Sequence, residues 1–287
     1  MSKLKILVLG VSGMLGNAVY RYLSSDPQLY VHGTSRSTNV QKHLRKKQCE
    51  NITFNFDVEH QDKLEALFLT LRPDVVINCI GVIKQLDSAN NPLVVIPINA
   101  LLPHRLDRLC SLINSKLIHV STDCVFSGKI GGYHETDFSD ADDLYGRSKF
   151  LGEVITSNAI TLRTSIIGHE LESRFALVEW FLSQTEEVRG YKKAIFSGLP
   201  TIEVARVIKE HVISNLNLRG LYHLAANPIN KYDLLKLIAS TYKKDIRIIP
   251  DESLCIDRSL NANKFSKATG YKPPSWAELI RKMYEFR

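Results

Sequence analysis

Over the first 160 positions, apolar residues fall into short unbroken runs separated by stretches of helical spacing. The runs are Lys5–Leu9, Leu29–Thr34, Ile52–Phe56, Asp74–Cys79, Lys116–Val120 and Ala159–Leu162. Each is dense in Val, Ile and Leu, as a strand covered on both faces must be. Between them, Met14–Leu23, Asp62–Leu71, Leu101–Ile113 and Tyr145–Thr156 place apolar residues three and four apart. The second of these carries a stripe of Leu64, Leu67, Phe68 and Leu71. This alternation predicts βαβ units, hence an α/β fold with a Rossmann-type doubly wound parallel sheet.

After Arg163 the rhythm loosens. Helices are expected at Phe175–Leu182, Thr201–Leu216, Asn230–Tyr242 and Ser275–Phe286, the last with Ser275 as its N-cap. Strands are expected at Leu221–Ala225 and Ile246–Ile249, while Gly190–Pro200 reads as irregular. The expected division is a dinucleotide-binding domain over residues 1–168, to which about 195–228 return, and a smaller C-terminal substrate-binding lobe over 169–287.

Composition narrows the classes. With 287 residues and 44% hydrophobic content the chain can bury a real core. No apolar run reaches the ~18–20 residues of a membrane span; the most apolar stretch, Leu93–Leu102, is broken by Pro97 and stopped by Pro103. The first residues lack the pattern of a signal peptide, so a cytoplasmic, membrane-free protein is expected. Five scattered cysteines without a C-x-x-C pair read as reduced thiols, and nine histidines without H-E-x-x-H give no metal site. The net charge of +7 reads as a solvated basic surface that would also steer anionic ligands. The run His43–Lys47 has no interleaved aromatics, so it reads as an exposed helix face and no nucleic-acid partner is expected.

Gly10, Ser12, Gly13, Met14, Leu15 and Gly16 lie between the first strand and the first helix. In a dinucleotide fold the first glycine makes the tight turn, the second lets backbone approach a pyrophosphate, and the third allows close helix–strand packing. The helix N-terminus adds free N–H groups and partial positive charge. The second strand ends in His32, Gly33, Thr34, Ser35 and Arg36, without the carboxylate that would bind an NAD ribose. Ser35 and Arg36 suit a 2′-phosphate, so NADP(H) is the expected cofactor, with NAD as the alternative.

Tyr145 and Lys149 stand four apart on a predicted helix, on one face. An ammonium near the phenol is expected to lower its ordinary pKa of ~10. Such a phenol can give a proton to a carbonyl oxygen. Ser121, Thr122 and Asp123 end the fifth strand, at the sheet edge where ligands of such folds gather.

Together, G-x-x-G-x-x-G, Asp57-Val58, Asn78 to Gly81, Asn99, Ser121-Thr122-Asp123 and Tyr145-x-x-x-Lys149 resemble the extended short-chain dehydrogenases/reductases. The segment Ser121–Gly128 and the residues Leu162–Ser165 are most similar to its dTDP-4-dehydrorhamnose reductase group. The resemblance covers about the first 170 residues. It implies a nucleotide-sugar keto reductase in which Asp57 and Val58 hold the adenine and Cys79, Ile80 and Gly81 line the cofactor. Thr122 would bond the reacting oxygen, Tyr145 would be the acid/base, and Lys149 would bind the nicotinamide ribose and tune Tyr145. Asn99 would support the site, and Thr164–Ile167 would pass the nicotinamide amide. Related dehydratases carry Asp-Glu after the threonine; here the pair is Asp123-Cys124, which argues against dehydration. Lys84, Gln85, Thr122, Asp123, Arg174, Trp180 and Arg258 are substrate-side candidates, Arg258 foremost as a pyrophosphate contact. Among them Trp180 also reads as a core filler. The resemblance allows a homodimer, a sugar-nucleotide epimerase that uses the same triad, and a non-catalytic NADP-binding regulatory subunit.

Overall fold

The fold is described from a computed structural model, over residues 3–85 and 87–287. Seven parallel strands form the main sheet. In chain order they are β1 (Leu4–Leu9), β2 (Leu29–Thr34), β3 (Ile52–Thr53), β4 (Val75–Asn78), β5 (Lys116–Thr122), β6 (Ala159–Thr164) and a last strand, Gly220–His223. Their spatial order is Gly220–His223, β6, β5, β4, β1, β2, β3. The chain order reverses between β1 and β4, which makes that crevice the switch point of a doubly wound sheet.

Both faces of the sheet are covered, as the unbroken apolar runs require. In β1, Ile6 and Val8 enter one apolar layer with Val19, Leu23 and Val204, while Leu7 and Leu9 enter the other with Leu64, Phe68 and Leu106. The first layer is roofed by the helices Met14–Ser24, Thr201–Val207 and Trp276–Glu285, the second by Gln61–Leu71 and Leu102–Leu112. A third cluster, built on Phe181, Val188, Leu234, Ile238, Ile280 and Met283, is the core of the later lobe.

Several elements differ from expectation. The third strand stops at Thr53, because Asn55 takes a left-handed conformation (φ 53°) that ends strand pairing. Gly190–Pro200 is not irregular: it contributes to Glu187–Tyr191, where Val188 and Gly190 are buried between exposed neighbours, and to Ala194–Phe196 and Leu199–Pro200, which are too short for a periodic signal. The helix after Tyr145 spans Leu144–Leu151 and ends at Gly152, where a Cβ would lie 2.0 Å from the Asn99 carbonyl oxygen. The basic run His43–Lys47 is exposed but lies across two separate single turns. Asn263–Thr269 is a helix without an expected counterpart, capped by Gly270 at φ 73°. Ser275 does cap the final helix, its Oγ accepting the Glu278 N–H.

Two glycines set the crevice. Gly10 has φ 88°, and a Cβ there would meet Ile80 Cγ1 at 2.8 Å. At Gly16 a Cβ would sit 2.1 Å from the Gly10 carbonyl oxygen, so the helix could not approach the turn. Gly16→Val should therefore destabilise the fold by about 3 kcal/mol, the upper range for overpacking. Urea unfolding checks this, and an unchanged midpoint would refute the packing argument.

Candidate active site

The loops at the C-terminal ends of β1, β4 and β5 converge with the N-terminal half of Leu144–Leu151. Gly13 is the N-cap of Met14–Ser24 and offers no side-chain cap, which leaves first-turn N–H groups free for an anion. Ser12 and Gly13 are exposed, Met14 half-buried, and Leu15 and Gly16 buried. A Cβ on Gly13 would meet nothing closer than 3.5 Å, so protein packing does not demand this glycine.

At the end of β2, Arg36 is exposed, whereas Ser35 is buried and donates its hydroxyl to the Ser37 carbonyl at 2.7 Å. The serine is thus committed to its own turn, and the free polar group at this strand end is the guanidinium. Asp57 is half-buried and accepts the Glu59 N–H at 3.0 Å. The Val58 side chain belongs to the core, so only its backbone is available to a ligand. Cys79 and Ile80 are half-buried against the glycine turn, and burial pushes the Cys79 thiol up to about 12, with Lys149 opposing. It is therefore a neutral lining group.

Asn99 fastens this edge together. It is buried, accepts the Val82 N–H at 2.9 Å, returns an amide N–H to the Val82 carbonyl at 3.0 Å, and donates to Ser148 Oγ at 3.3 Å. Exposed Gly81 lies over it, and a Cβ there would reach Asn99 Oδ1 at 3.4 Å and Lys149 Nζ at 4.0 Å.

Thr122 ends β5 with its hydroxyl donating to Asp123 Oδ1 and accepting the Cys124 N–H, each at 3.1 Å. The phenol of Tyr145 lies beside it. Burial raises the phenol above its ordinary pKa, with Cys124 and Asp123 adding to the effect and the Thr122 hydroxyl opposing it. The lowered phenol pKa expected from Lys149 is not found. That ammonium donates to the Val120 carbonyl at 2.8 Å and does not decide the balance at Tyr145. Burial takes Lys149 itself down to about 8, against the pull of Glu153 and Cys79. The site thus pairs a protonated phenol with a lysine that titrates close to neutrality. Burial pushes the Cys124 thiol up to about 12, with Asp123 adding to it, so it stays protonated too.

Of the substrate-side candidates, Asp123 and Arg258 come together. Burial raises the Asp123 carboxyl, and Arg258 is the first group to oppose that. Arg258 donates Nε to the Phe126 carbonyl at 2.8 Å. Lys84 instead pairs with Asp143 at 2.6 Å, and Asp143 caps Leu144–Leu151 by accepting the Gly146 N–H. Its role here is to tie the β4 loop to the tyrosine helix. Gln85 and Arg174 are exposed. Trp180, expected as a core filler, is 38% exposed.

Sequence reasoning missed the supports. Glu153 and Arg163 form a buried bidentate pair, both contacts at 2.7 Å, and Ser121 donates to the same carboxylate at 2.7 Å. Arg163 also reaches His223 Nε2 at 3.3 Å. Burial and Arg163 hold that imidazole down to about 3, so it is neutral and gives its Nδ1–H to the Tyr133 carbonyl. An arginine directly after the run Ala159–Leu162, on the same strand, was the available signal, since a buried cation requires a partner.

The chain matches, over residues 4–286, the family described as the RmlD substrate binding domain. It belongs to that family. Relatives in sequence include a dTDP-4-dehydrorhamnose reductase of Mycobacterium tuberculosis, 41% identical over 85 residues, a match that spans 28% of this chain and 28% of that protein. Another dTDP-4-dehydrorhamnose reductase, from Aggregatibacter actinomycetemcomitans, is 24% identical with 96% of this chain and 97% of its own length covered. Methionine adenosyltransferase 2 subunit beta of Xenopus laevis is 25% identical, covering 86% and 76%. Among solved structures, dTDP-4-dehydrorhamnose reductase of Bacillus anthracis in complex with NADP superposes with a TM-score of 0.83 at 20% identity, covering 100% and 99%. The RmlD-type fold therefore extends through the later lobe, well past the 170 residues in which the motifs lie. Among the described residues no helix is long and apolar enough to cross a membrane.

The buried pair gives a stability test. Arg163→Met leaves Glu153 uncompensated and should cost about 3–5 kcal/mol. Equilibrium urea unfolding measures it; a loss below 1 kcal/mol, on the order of a surface pair, would show that Glu153 finds another partner.

Proposed function

We propose that this RmlD-family chain is an NADPH-dependent reductase of a keto group on a nucleotide-linked sugar. The observation that carries the reading is the meeting of Thr122 and a protonated Tyr145 at the end of β5, with Lys149 one helical turn on beside Gly81. In this reading residues 1–168, with about 195–228, carry the cofactor, and 169–287 mainly carry the substrate.

The residues fit a dinucleotide. Gly10, Ser12, Gly13, Met14, Leu15 and Gly16 would give backbone N–H groups to the pyrophosphate, Arg36 would hold the 2′-phosphate, and Asp57 with Val58 the adenine. Cys79, Ile80, Gly81 and Thr164–Ile167 would line the nicotinamide half, and Lys149 would hold its ribose. When bound, the nicotinamide supplies a hydride. Tyr145 supplies the proton: at neutral pH its phenol is protonated, as an acid must be before it donates. Thr122 bonds the same carbonyl oxygen and helps orient it. Cys124, a neutral thiol, offers no second base, which supports simple reduction over dehydration. Two relatives named dTDP-4-dehydrorhamnose reductase support the sugar class. The similarity to methionine adenosyltransferase 2 subunit beta favours a second reading, a non-catalytic NADP-binding subunit. Stoichiometric NADPH oxidation with a nucleotide keto sugar separates the two.

Tyr145→Phe should keep NADPH binding by fluorescence titration and lose turnover by about 10²–10⁴-fold, the usual weight of a general acid; undiminished turnover would remove Tyr145 from the mechanism. Below pH 8 Lys149 carries its charge and above it the charge is lost, so turnover should fall along an alkaline limb near about 8. A profile flat to well above that pH would refute this role for Lys149. Arg36→Leu should weaken NADPH about 10–100-fold, the weight of a charge-assisted hydrogen bond, while leaving NADH binding nearly unchanged. Equal losses for both cofactors would show that Arg36 does not read the 2′-phosphate.

A further inference from the structure

Thr201 lies outside every role described so far. It follows the two-residue strand Leu199–Pro200, which pairs in parallel with Ile166–Ile167, Pro200 against Ile167. Gly168 and Thr201 are therefore the next residues on two paired strands that run the same way. The pairing is tight. The Leu199 N–H donates to the Ser165 carbonyl at 2.9 Å, and a Cβ on Gly198 would lie 2.2 Å from that oxygen. A Cβ on Gly168 would lie 2.6 Å from Thr201 Oγ1, 3.1 Å from Thr201 Cγ2 and 3.4 Å from Met14 Cγ. Gly168, Thr201 and Met14 thus meet at one point, and the hydroxyl is the part of Thr201 turned toward it.

That point joins two parts of the cofactor crevice. Met14 opens the helix whose first-turn N–H groups are free for the diphosphate. Thr164–Ile167 is the segment assigned to the nicotinamide, and Gly168 follows it directly. Thr201 is only 5% exposed, yet among the described residues its hydroxyl makes no hydrogen bond. The fully sealed polar atoms without a partner belong to Ser24, His32, Gln61 and His119, so the Thr201 oxygen keeps an opening to the outside. The fold has no use for this hydroxyl. Pro200 is the N-cap of Thr201–Val207, so the threonine caps nothing, and valine would fill the same volume. A deeply placed polar group without a partner is unfavourable. Gly168 is not at positive φ, so its conformation admits other residues. The glycine is needed for the room that Thr201 takes.

We propose that Thr201 is a cofactor-contact residue whose hydroxyl donates to an acceptor oxygen on the nicotinamide half of the bound dinucleotide. The inference rests on the NADP reading and adds to it a residue that neither the glycine turn nor the Tyr/Lys pair marks. Two oxygens on that half carry the chemistry: one on the nicotinamide-side phosphate, and the carboxamide carbonyl.

The test uses the full chain with Thr201→Val, which keeps the shape and removes the hydroxyl, and Thr201→Ser, which keeps the hydroxyl. Titration calorimetry measures binding of NADP, of 2′-phospho-ADP-ribose, which has both phosphates but no nicotinamide, and of adenosine 2′,5′-bisphosphate, which ends at the first phosphate. Thr201→Val should weaken NADP about five- to tenfold, as expected for one hydrogen bond. Thr201→Ser should recover most of that affinity. Adenosine 2′,5′-bisphosphate should bind all three proteins equally, and the melting temperature of cofactor-free Thr201→Val should hold or rise. A loss shared by 2′-phospho-ADP-ribose supports the contact and places it on the phosphate. A loss confined to NADP supports it equally and places it on the carboxamide. Equal NADP affinity in wild type and Thr201→Val overturns the proposal, as does an equal loss for all three ligands, which would mark a distorted crevice. A wild-type chain that binds no NADP defeats the cofactor reading and this inference with it.

Discussion

The buried pair of Glu153 and Arg163 is the contact on which the site geometry depends. Each ion has left water, which is costly unless the partner and the remaining hydrogen bonds are all in place. Here they are: the carboxylate takes two guanidinium nitrogens and the Ser121 hydroxyl, and the guanidinium also meets a neutral imidazole on the last strand. The carboxylate follows the tyrosine helix by two residues, the serine precedes Thr122 by one, and the arginine is in β6. One ion pair therefore fixes the helix bearing Tyr145 and Lys149 to the strand end bearing Thr122. Its geometry is intolerant, and that intolerance holds the phenol and the hydroxyl together.

At the other end of the same helix the ties are of a different kind. Asp143 caps it and is held by Lys84 in a partly exposed pair, while Asn99 binds the β4 loop to Ser148 through a buried amide. A buried ion pair thus anchors the C-terminal end, and a half-exposed pair together with a buried amide anchors the N-terminal half.

The parallel sheet was legible because its strands are buried on both faces and so read as unbroken apolar runs. The glycine turn was legible because backbone packing at Gly10 and Gly16 excludes any side chain. Tyr145 and Lys149 could be picked out by spacing, and Thr122 by its place at a strand end and by resemblance. Their protonation could not, because it follows from burial and from where the ammonium points, and Lys149 points at Val120. Ser35, a ligand candidate, bonds its own turn for a similar reason: a hydroxyl in a turn is readily claimed by local backbone. Lys84, a substrate-side candidate, pairs with a long-range partner, Asp143, that no local pattern reveals. The strands Ala194–Phe196, Leu199–Pro200, Ile229–Asn230 and Ile256–Asp257 stayed hidden because two or three residues carry no periodicity.

The last strand of the main sheet comes from Gly220–His223, more than fifty residues after β6 ends. Until that segment emerges during synthesis, β6 is an open edge with unsatisfied backbone groups. The charged chemistry at Arg163 is likewise incomplete, because His223 arrives with the late strand. Closure of the sheet is thus a distant contact, of the kind that slows folding, and the nascent chain must cross a stage with one hydrogen-bonding edge bare. Part of the smaller lobe is looped out between the two strands, so a truncation before Gly220 would remove the edge protection together with the rest of the lobe.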